Sequence, residues 1–268
     1  MNKMIGFIGI GNMGKAILKG LLHAKRIEAQ QVIVSRRDAK ALDDLKNNLG
    51  VHTTSDNTVV ASKADILFLA VKPDMYASIM EEIKNFVKSD SIIVNMAAGK
   101  SMRDIENVLG ETTKIVRIMP NTPVMVGEGM IAVSFNEHLS IEEKQEMEKL
   151  FRCLGSAEVV PESLMDAVIG VSGSSPAIMY MILEAFADGA VQAGMPRKQA
   201  YLFAAQAMLG SAKMVLETEL HPGVLKDQVT SPGGTTIEAV IKAEETGLRH
   251  SILASVESAV RKSKEMNH

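Results

Sequence analysis

The stretch Ser231-Pro232-Gly233-Gly234-Thr235-Thr236 places three hydroxyls and two adjacent glycines in six residues, with no acid, base or metal ligand among them. Hydroxyls orient and exchange protons with a reacting group, and consecutive glycine N–H groups can hold an anion where a side chain would intrude. Such a loop lacks a strong acid or nucleophile, so chemistry built on it has to come from a second group. The first candidate for that group's seat is GIGNMGKA, where Gly9, Gly11 and Gly14 have the GxGxxG spacing directly after the apolar run MIGFIG. At a strand-to-helix turn this spacing gives a tight corner, close approach of a pyrophosphate to the backbone, and close packing of helix on strand. The alternative is a glycine turn of purely structural use.

A dinucleotide site needs a partner about 20 residues beyond the glycines for the adenosine ribose. In place of Asp or Glu the chain has VSRRD: Ser35 stands at that place and Arg36 and Arg37 follow. A neutral residue followed by guanidinium groups suits a 2′-phosphate, which favours NADPH with NADH possible. The plainer reading is a solvated helix start with Asp38 as N-cap. Two more small-residue loops, Ala70 to Pro73 (AVKP) and Asn95 to Gly99 (NMAAG), stand where strand ends should line the same crevice. Lys72 could reach phosphate or ribose there, or be an ordinary surface lysine.

The elements that must carry these loops are legible. Up to about residue 160 short β-branched runs alternate with helical segments, the pattern of a parallel sheet covered by helices. The strands are 4–9, 32–35, 66–71, 91–96, 114–119 and 130–135, with a further one at 156–160. NMGKAILKGLLHAK, DAKALDDLKNNL, MYASIMEEIKNFVK and SIEEKQEMEKLFRCL have helical periodicity. After Pro161 the chain turns to long Ala-, Met- and Leu-rich helical patterns with no strand. The predicted class is α/β plus all-α: a doubly wound parallel sheet in 1–162 and a helical domain in 163–268. The run 176–195 carries few charges, which suits a helix buried against other helices or a subunit partner.

Composition excludes several classes. With 29 basic and 32 acidic residues the net charge is −3, so the chain has no general attraction for nucleic acid or anionic lipid. Cys153 is the single cysteine, which excludes an intrachain disulfide and fits a cytoplasmic protein. The six histidines, His268 included, show no HxxxH or HxH spacing and predict no metal site. Residues 167–183 are uncharged but interrupted by Gly173, Ser174, Ser175 and Pro176, and no membrane span is predicted. Glu184 and Asp188, four apart, could act as paired carboxylates, although buried structural hydrogen bonding fits them better. GVSGSSP has no GxSxG with matching His and Asp, so a hydrolase is not indicated.

Taken in order, GFIGIGNMGKAI, FLAVKP, AAGKS, RIMPNTP, GVSGSSPA and HPGVLKDQVTSPGGTTIEAV resemble pyrroline-5-carboxylate reductase over essentially the whole chain, the SPGGTT turn being the most specific piece. The resemblance implies an N-terminal Rossmann-type domain and a C-terminal helical dimerisation domain. It implies NAD(P)H reduction of 1-pyrroline-5-carboxylate to L-proline, and a homodimer, with a larger ring of dimers open. Carried over from that family, Ser231, Gly234, Thr235 and Thr236 form the substrate pocket, with Thr236 facing the ring nitrogen. Gly9, Gly11, Gly14, Ser35, Arg36, Asn57, Ala70, Lys72, Pro73, Ala97 and Ala98 hold the cofactor. Two rivals stand beside it: a reductase of 2-oxo or 3-hydroxy acids, which would normally offer a lysine on the central helix where PAIMYMILEAF has none, and an NADP(H)-binding sensor without turnover.

Overall fold

The structure, a computed structural model, describes residues 3–266, so His268 lies outside the described residues. The chain forms two compact units: residues up to 174 together with those from 258 onward, and Ser175–Glu257. The first unit holds eight strands: β1 (Ile5–Ile8), β2 (Val32–Ser35), β3 (His52–Thr54), β4 (Ile66–Leu69), β5 (Ile92–Asn95), β6 (Lys114–Met119), β7 (Gly129–Phe135) and β8 (Gly155–Val159). Their order is β3-β2-β1-β4-β5-β6-β7-β8, parallel except where β7 runs antiparallel to β6. The chain leaves β1 toward β2 and β3, then crosses back to lay β4 on the other side of β1. That reversal opens a crevice at the carboxyl ends of β1 and β4.

The helices of this unit are α1 (Asn12–His23), α2 (Ala39–Leu49), α3 (Asn57–Lys63), α4 (Tyr76–Ile83), α5 (Met102–Leu109), α6 (Ile141–Arg152) and the short α7 (Met165–Val168). They cover both faces because the pleat sends alternate strand residues to opposite sides. Ile5 and Phe7 join Phe68, Leu21 and Phe151 in one core, while Ile8 joins Leu69, Val60, Ile79 and Ile105 in the other. Phe7 stacks on Phe68 at 4.5 Å between ring centroids, pinning β1 to β4 beside the switch point.

β3, α3 and α5 are additions to the sequence reading. β3 is three residues of a polar edge strand, too short for periodicity to mark. α3 and α5 are seven and eight residues long, and their caps are the better signal: Asp56 accepts from Thr58 N, and Ser101 with Asp104 makes a capping box. Segment 162–174 packs with the first unit because Met165, 1% exposed, sits against Met119 and Ala132.

The second unit contains α8 (Ser175–Gln192), α9 (Arg197–Thr218), α10 (Pro222–Gln228), α11 (Thr235–Glu245) and the first part of α12 (Leu248–Glu265). The interruption expected at Gly173–Pro176 is present as a bend at Ser174, after which α8 starts at Ser175. A π-helical turn, Ile169–Gly173, leads into α8 with Pro176 in its first turn, where the missing N–H loses no helical bond. The helical stretch Glu162–Gln192 is long and apolar enough to cross a membrane by length and composition. Within the single chain α8 is not buried as its composition suggests. Tyr180, Met181 and Phe186 are 59%, 64% and 66% exposed, and α9 likewise exposes Leu202 and Phe203.

Candidate active site

The glycine turn is fixed from both sides. Gly9 N–H donates to the Ser35 carbonyl at 3.0 Å, and Ala70 N–H donates to the Ile8 carbonyl at 2.9 Å, which ties the ends of β2 and β4 to β1. Gly9 adopts φ +73°, and a Cβ there would stand 2.5 Å from Val71 Cγ1, so the position rejects other residues on both conformation and space. At Gly14 a Cβ would come within 3.0 Å of Ala70 Cβ, which records how closely α1 rides on the β4 loop. Gly11 is different. It is the N-cap of α1, carries no side-chain cap, and a Cβ built on it meets nothing within 4 Å. The amino end of α1 therefore faces open space with its first-turn amides uncapped by any side chain, the arrangement that receives a phosphate.

Ahead of this turn lies a cleft of about 380 Å³ lined by Gly9, Gly11, Ser35, Arg36, Asn57, Ala70 and Lys72 together with Arg37, Asp74 and Met75. The fold thus gathers residues that are up to 63 positions apart in the sequence-predicted set. Pro73 opens the 3₁₀ turn that continues the Ala70–Lys72 loop. Ser35 is fully buried, and its hydroxyl donates to Asn57 Oδ1 at 2.7 Å. Asn57 Nδ2 in turn donates to Glu82 Oε2 at 2.9 Å, so the Asn57 carboxamide is oriented from two sides. Arg36 extends from β2, its side chain 35% exposed, with Nη2 3.9 Å from Asp38 and Nη1 3.4 Å from the Ile10 carbonyl. Asp38 also caps α2, accepting from Ala41 N–H at 3.2 Å, as the plainer reading of the VSRRD stretch expects.

Ala97 and Ala98 follow β5. Ala97 is buried and Ala98 half-buried, and the loop ends at Gly99 with φ +72°. A Cβ on Gly99 would lie 2.7 Å from the Met266 carbonyl, so the end of the chain's last helix rests on this loop. Sequence reasoning did not reach the buried polar groups beneath it. Tyr76, Asn95 and Arg117 are 1%, 0% and 5% exposed, and burial pushes the Tyr76 phenol well above its ordinary pKa. Arg117 donates to Glu162 Oε1 at 2.8 Å, and the same oxygen accepts from Met102 N–H at 2.8 Å. The available signal was a polar residue within an otherwise apolar strand, at the end of IIVN for Asn95 and inside KIVRIM for Arg117.

In the second unit the SPGGTT turn stands at the amino end of α11. Gly234 is the N-cap, without a side-chain cap, and a Cβ there would collide with Ser231 Oγ at 2.5 Å. Its own N–H donates to the Ser231 carbonyl at 3.1 Å, so it serves the turn itself. The donors left facing outward by this geometry are the first-turn amides that begin at Thr235. Ser231 and Thr235 are exposed and Thr236 half-buried.

The remaining candidates resolve plainly. Glu184 and Asp188 are exposed, not buried, and Asp188 pairs with Arg197 across the α8–α9 turn. Among the described residues no group of three or more His, Cys, Asp or Glu could hold a metal ion.

Residues 162–266 match the family model described as pyrroline-5-carboxylate reductase dimerisation, and residues 4–99 match the one described as NADP oxidoreductase, coenzyme F420-dependent. The chain is 46% identical over 267 residues to the pyrroline-5-carboxylate reductase of Escherichia coli K12, covering 100% of this chain and 99% of that one. The chain belongs to the pyrroline-5-carboxylate reductase family. Among solved structures, the Plasmodium falciparum pyrroline carboxylate reductase with NADP bound superposes with a TM-score of 0.92 at 30% identity, covering 100% of this chain and 99% of that one. The Coxiella burnetii pyrroline-5-carboxylate reductase gives 0.90 at 36% identity, with full coverage of both. The dimerisation match, which supports oligomerisation, spans the whole stretch whose length and composition also pass for a membrane span.

Proposed function

We propose that this protein reduces the cyclic imine 1-pyrroline-5-carboxylate to L-proline with NAD(P)H, the final step of proline biosynthesis. The observation that carries this is identity over the full length with a reductase of that name. It is supported by two helix starts without side-chain caps, one at Gly11 and one at Gly234.

The residues present fit a dinucleotide. An uncapped helix start at Gly11, with space where a Cβ would be, accommodates a pyrophosphate, and the Arg36 guanidinium at the cleft edge suits a 2′-phosphate. Gly9, Gly11, Gly14, Ala70, Lys72 and Pro73 would hold the phosphates and adjoining ribose. Ser35, Arg36 and Asn57 would hold the adenosine end, and Ala97 and Ala98 the nicotinamide end, with NADPH preferred over NADH. When bound, the cofactor supplies a hydride.

The substrate explains why the second turn lacks a strong acid. An imine nitrogen is protonated readily near neutral pH, and the resulting iminium carbon accepts a hydride directly; the C=N bond becomes C–N, and the nitrogen keeps its proton. What remains for the protein is alignment, worth up to about 7–11 kcal/mol in ideal cases. Ser231, Gly234, Thr235 and Thr236 form the proposed substrate pocket. Ser231 Oγ and the first-turn amides of α11 hold the carboxylate, and the Thr236 hydroxyl orients the ring nitrogen and passes its proton exchange to water. Functionally the chain divides into a dinucleotide-binding part, 1–162, and a dimerisation and substrate part, 163–268. The protein works as a cytoplasmic homodimer joined through α8 and α9, which expose Phe186, Leu202 and Phe203, with a larger ring of dimers as the higher assembly.

The test follows NADPH oxidation with pyrroline-5-carboxylate and with 2-oxo acids, in the parent and in Thr236→Ala and Thr236→Ser. Turnover of the imine acid alone is expected. Thr236→Ala should lose about tenfold in kcat/KM, the equivalent of one substrate hydrogen bond, and Thr236→Ser should recover most of it. Turnover of 2-oxo acids without the imine acid would overturn the assignment.

A further inference from the structure

The loops Ala70–Pro73 and Ala97–Gly99 come from different strands, yet a single pair of buried side chains ties them together. Tyr76 is the first residue of α4, immediately after the Lys72–Met75 turn, and Asn95 is the last residue of β5. The Tyr76 hydroxyl stands 2.7 Å from the Leu69 carbonyl and 2.9 Å from Asn95 Oδ1, and shares its proton between them. Leu69 is the residue before Ala70, so the first contact closes the Ala70–Met75 loop on itself. Asn95 Oδ1 also accepts from Ala97 N–H at 3.0 Å, and Asn95 Nδ2 donates to the Lys100 carbonyl at 2.8 Å, which closes the second loop.

We infer that Tyr76 and Asn95 are a positioning clasp, which sets the separation of the two loops and thereby the affinity for the dinucleotide. The inference rests on the cofactor placement proposed above. None of these bonds belongs to a strand ladder or a helix, so the secondary structure does not require them. For packing alone Phe at 76 and an apolar residue at 95 would fill the same space, with no buried polar group to satisfy. What the polar pair adds is one geometry for two backbone segments. A loop held in its binding geometry beforehand gives up less conformational freedom when ligand arrives. Neither residue acts on the reacting atoms, so the clasp should govern cofactor affinity and leave the chemical step nearly unchanged.

The experiment compares the full-length parent with Tyr76→Phe, Asn95→Ala and the double variant. Amide hydrogen exchange without cofactor reads the loops, NADPH titration reads affinity, and steady-state kinetics read KM and kcat. In Tyr76→Phe, exchange at Ala97 and Gly99 should rise at least tenfold, although these lie more than 20 residues away from the changed side chain. NADPH Kd and KM should rise at least fivefold, with kcat at saturating NADPH within twofold. The double variant should be no weaker than the weaker single, since both remove one clasp. Unchanged exchange at Ala97 and Gly99 in both single variants, or faster exchange with unchanged NADPH Kd, overturns the clasp. Should Tyr76→Phe fail to fold, Asn95→Ala alone decides by the same readings. If the parent itself binds no NADPH while exchange still rises, the functional assignment fails and the clasp is refuted as a determinant of cofactor affinity.

Discussion

Replacing Arg36 should move cofactor choice from NADPH toward NADH by an amount the structure bounds. The guanidinium is about a third exposed and stands 3.9 Å from the Asp38 carboxylate, which is itself held as the N-cap of α2. A hydrogen bond to a charged group contributes about 1.5–3 kcal/mol. Exposure and the competing carboxylate place this one at the lower end, about 1.5 kcal/mol, so Arg36→Ala should lower the ratio of kcat/KM for NADPH over NADH roughly tenfold. Arg36→Glu adds repulsion between the new carboxylate and the 2′-phosphate, about 1–2 kcal/mol after screening. The ratio should then fall about 50–300-fold relative to the parent. The assay is initial-rate NAD(P)H oxidation with pyrroline-5-carboxylate, run at low and high ionic strength. High salt should narrow the difference between parent and variant, because an exposed contact is screened. Equal losses with NADPH and NADH would refute the reasoning, since only the former carries the 2′-phosphate.

Three more outcomes follow from the same geometry. Glu162→Ala should destabilise the fold by about 3 kcal/mol in urea titration, because it strands the 5%-exposed Arg117 and leaves Met102 N–H without its acceptor; Arg117→Met in the same background should restore part of the loss. Gly99→Ala should cost about 1–3 kcal/mol by thermal unfolding and weaken NADPH binding, since φ +72° and the Met266 carbonyl at 2.7 Å both oppose a Cβ. Burial would raise the Asp65 carboxyl, but hydrogen bonds from Lys88 and Met4 N–H outweigh it and hold its pKa below the ordinary value. A depressed carboxylate stabilises the fold above its unfolded pKa and loses that contribution as pH falls through the folded one. Unfolding titrations from pH 6 down through the carboxylate range, near 4 and below, should therefore show a shallower decline in Lys88→Met than in the parent.

The dinucleotide half was legible because its signals are local. Gly9, Gly11 and Gly14 mark a turn by their spacing, and runs such as ILFL and IIVN mark buried strands by continuous apolar character. Ser35 and Arg36 could be placed at a strand end by counting from the glycines. Asp38 marks a helix start by residue type. For the run 176–195 the sequence predicted cover by other helices or a subunit partner without choosing between them, since low charge says only that a surface is covered and not by what.

Other features depend on which strands become neighbours. The doubly wound class already expected the Ala70–Pro73 loop in the crevice of Arg36, but only the packed chain, with β4 beside β1, sets Gly14 so closely against Ala70. Tyr76 and Asn95 look like a core aromatic and a strand-end polar residue until β4 and β5 pair and place their side chains 2.9 Å apart. The same holds for Arg117 and Glu162, 45 residues apart and joined only when the segment after β8 packs on the sheet. Sequence determines what each short segment can become, because torsional preference and hydrophobic period act over a few residues. Tertiary structure decides which buried polar groups meet, because a hydrogen bond needs a partner within about 3 Å that only the packed chain can bring.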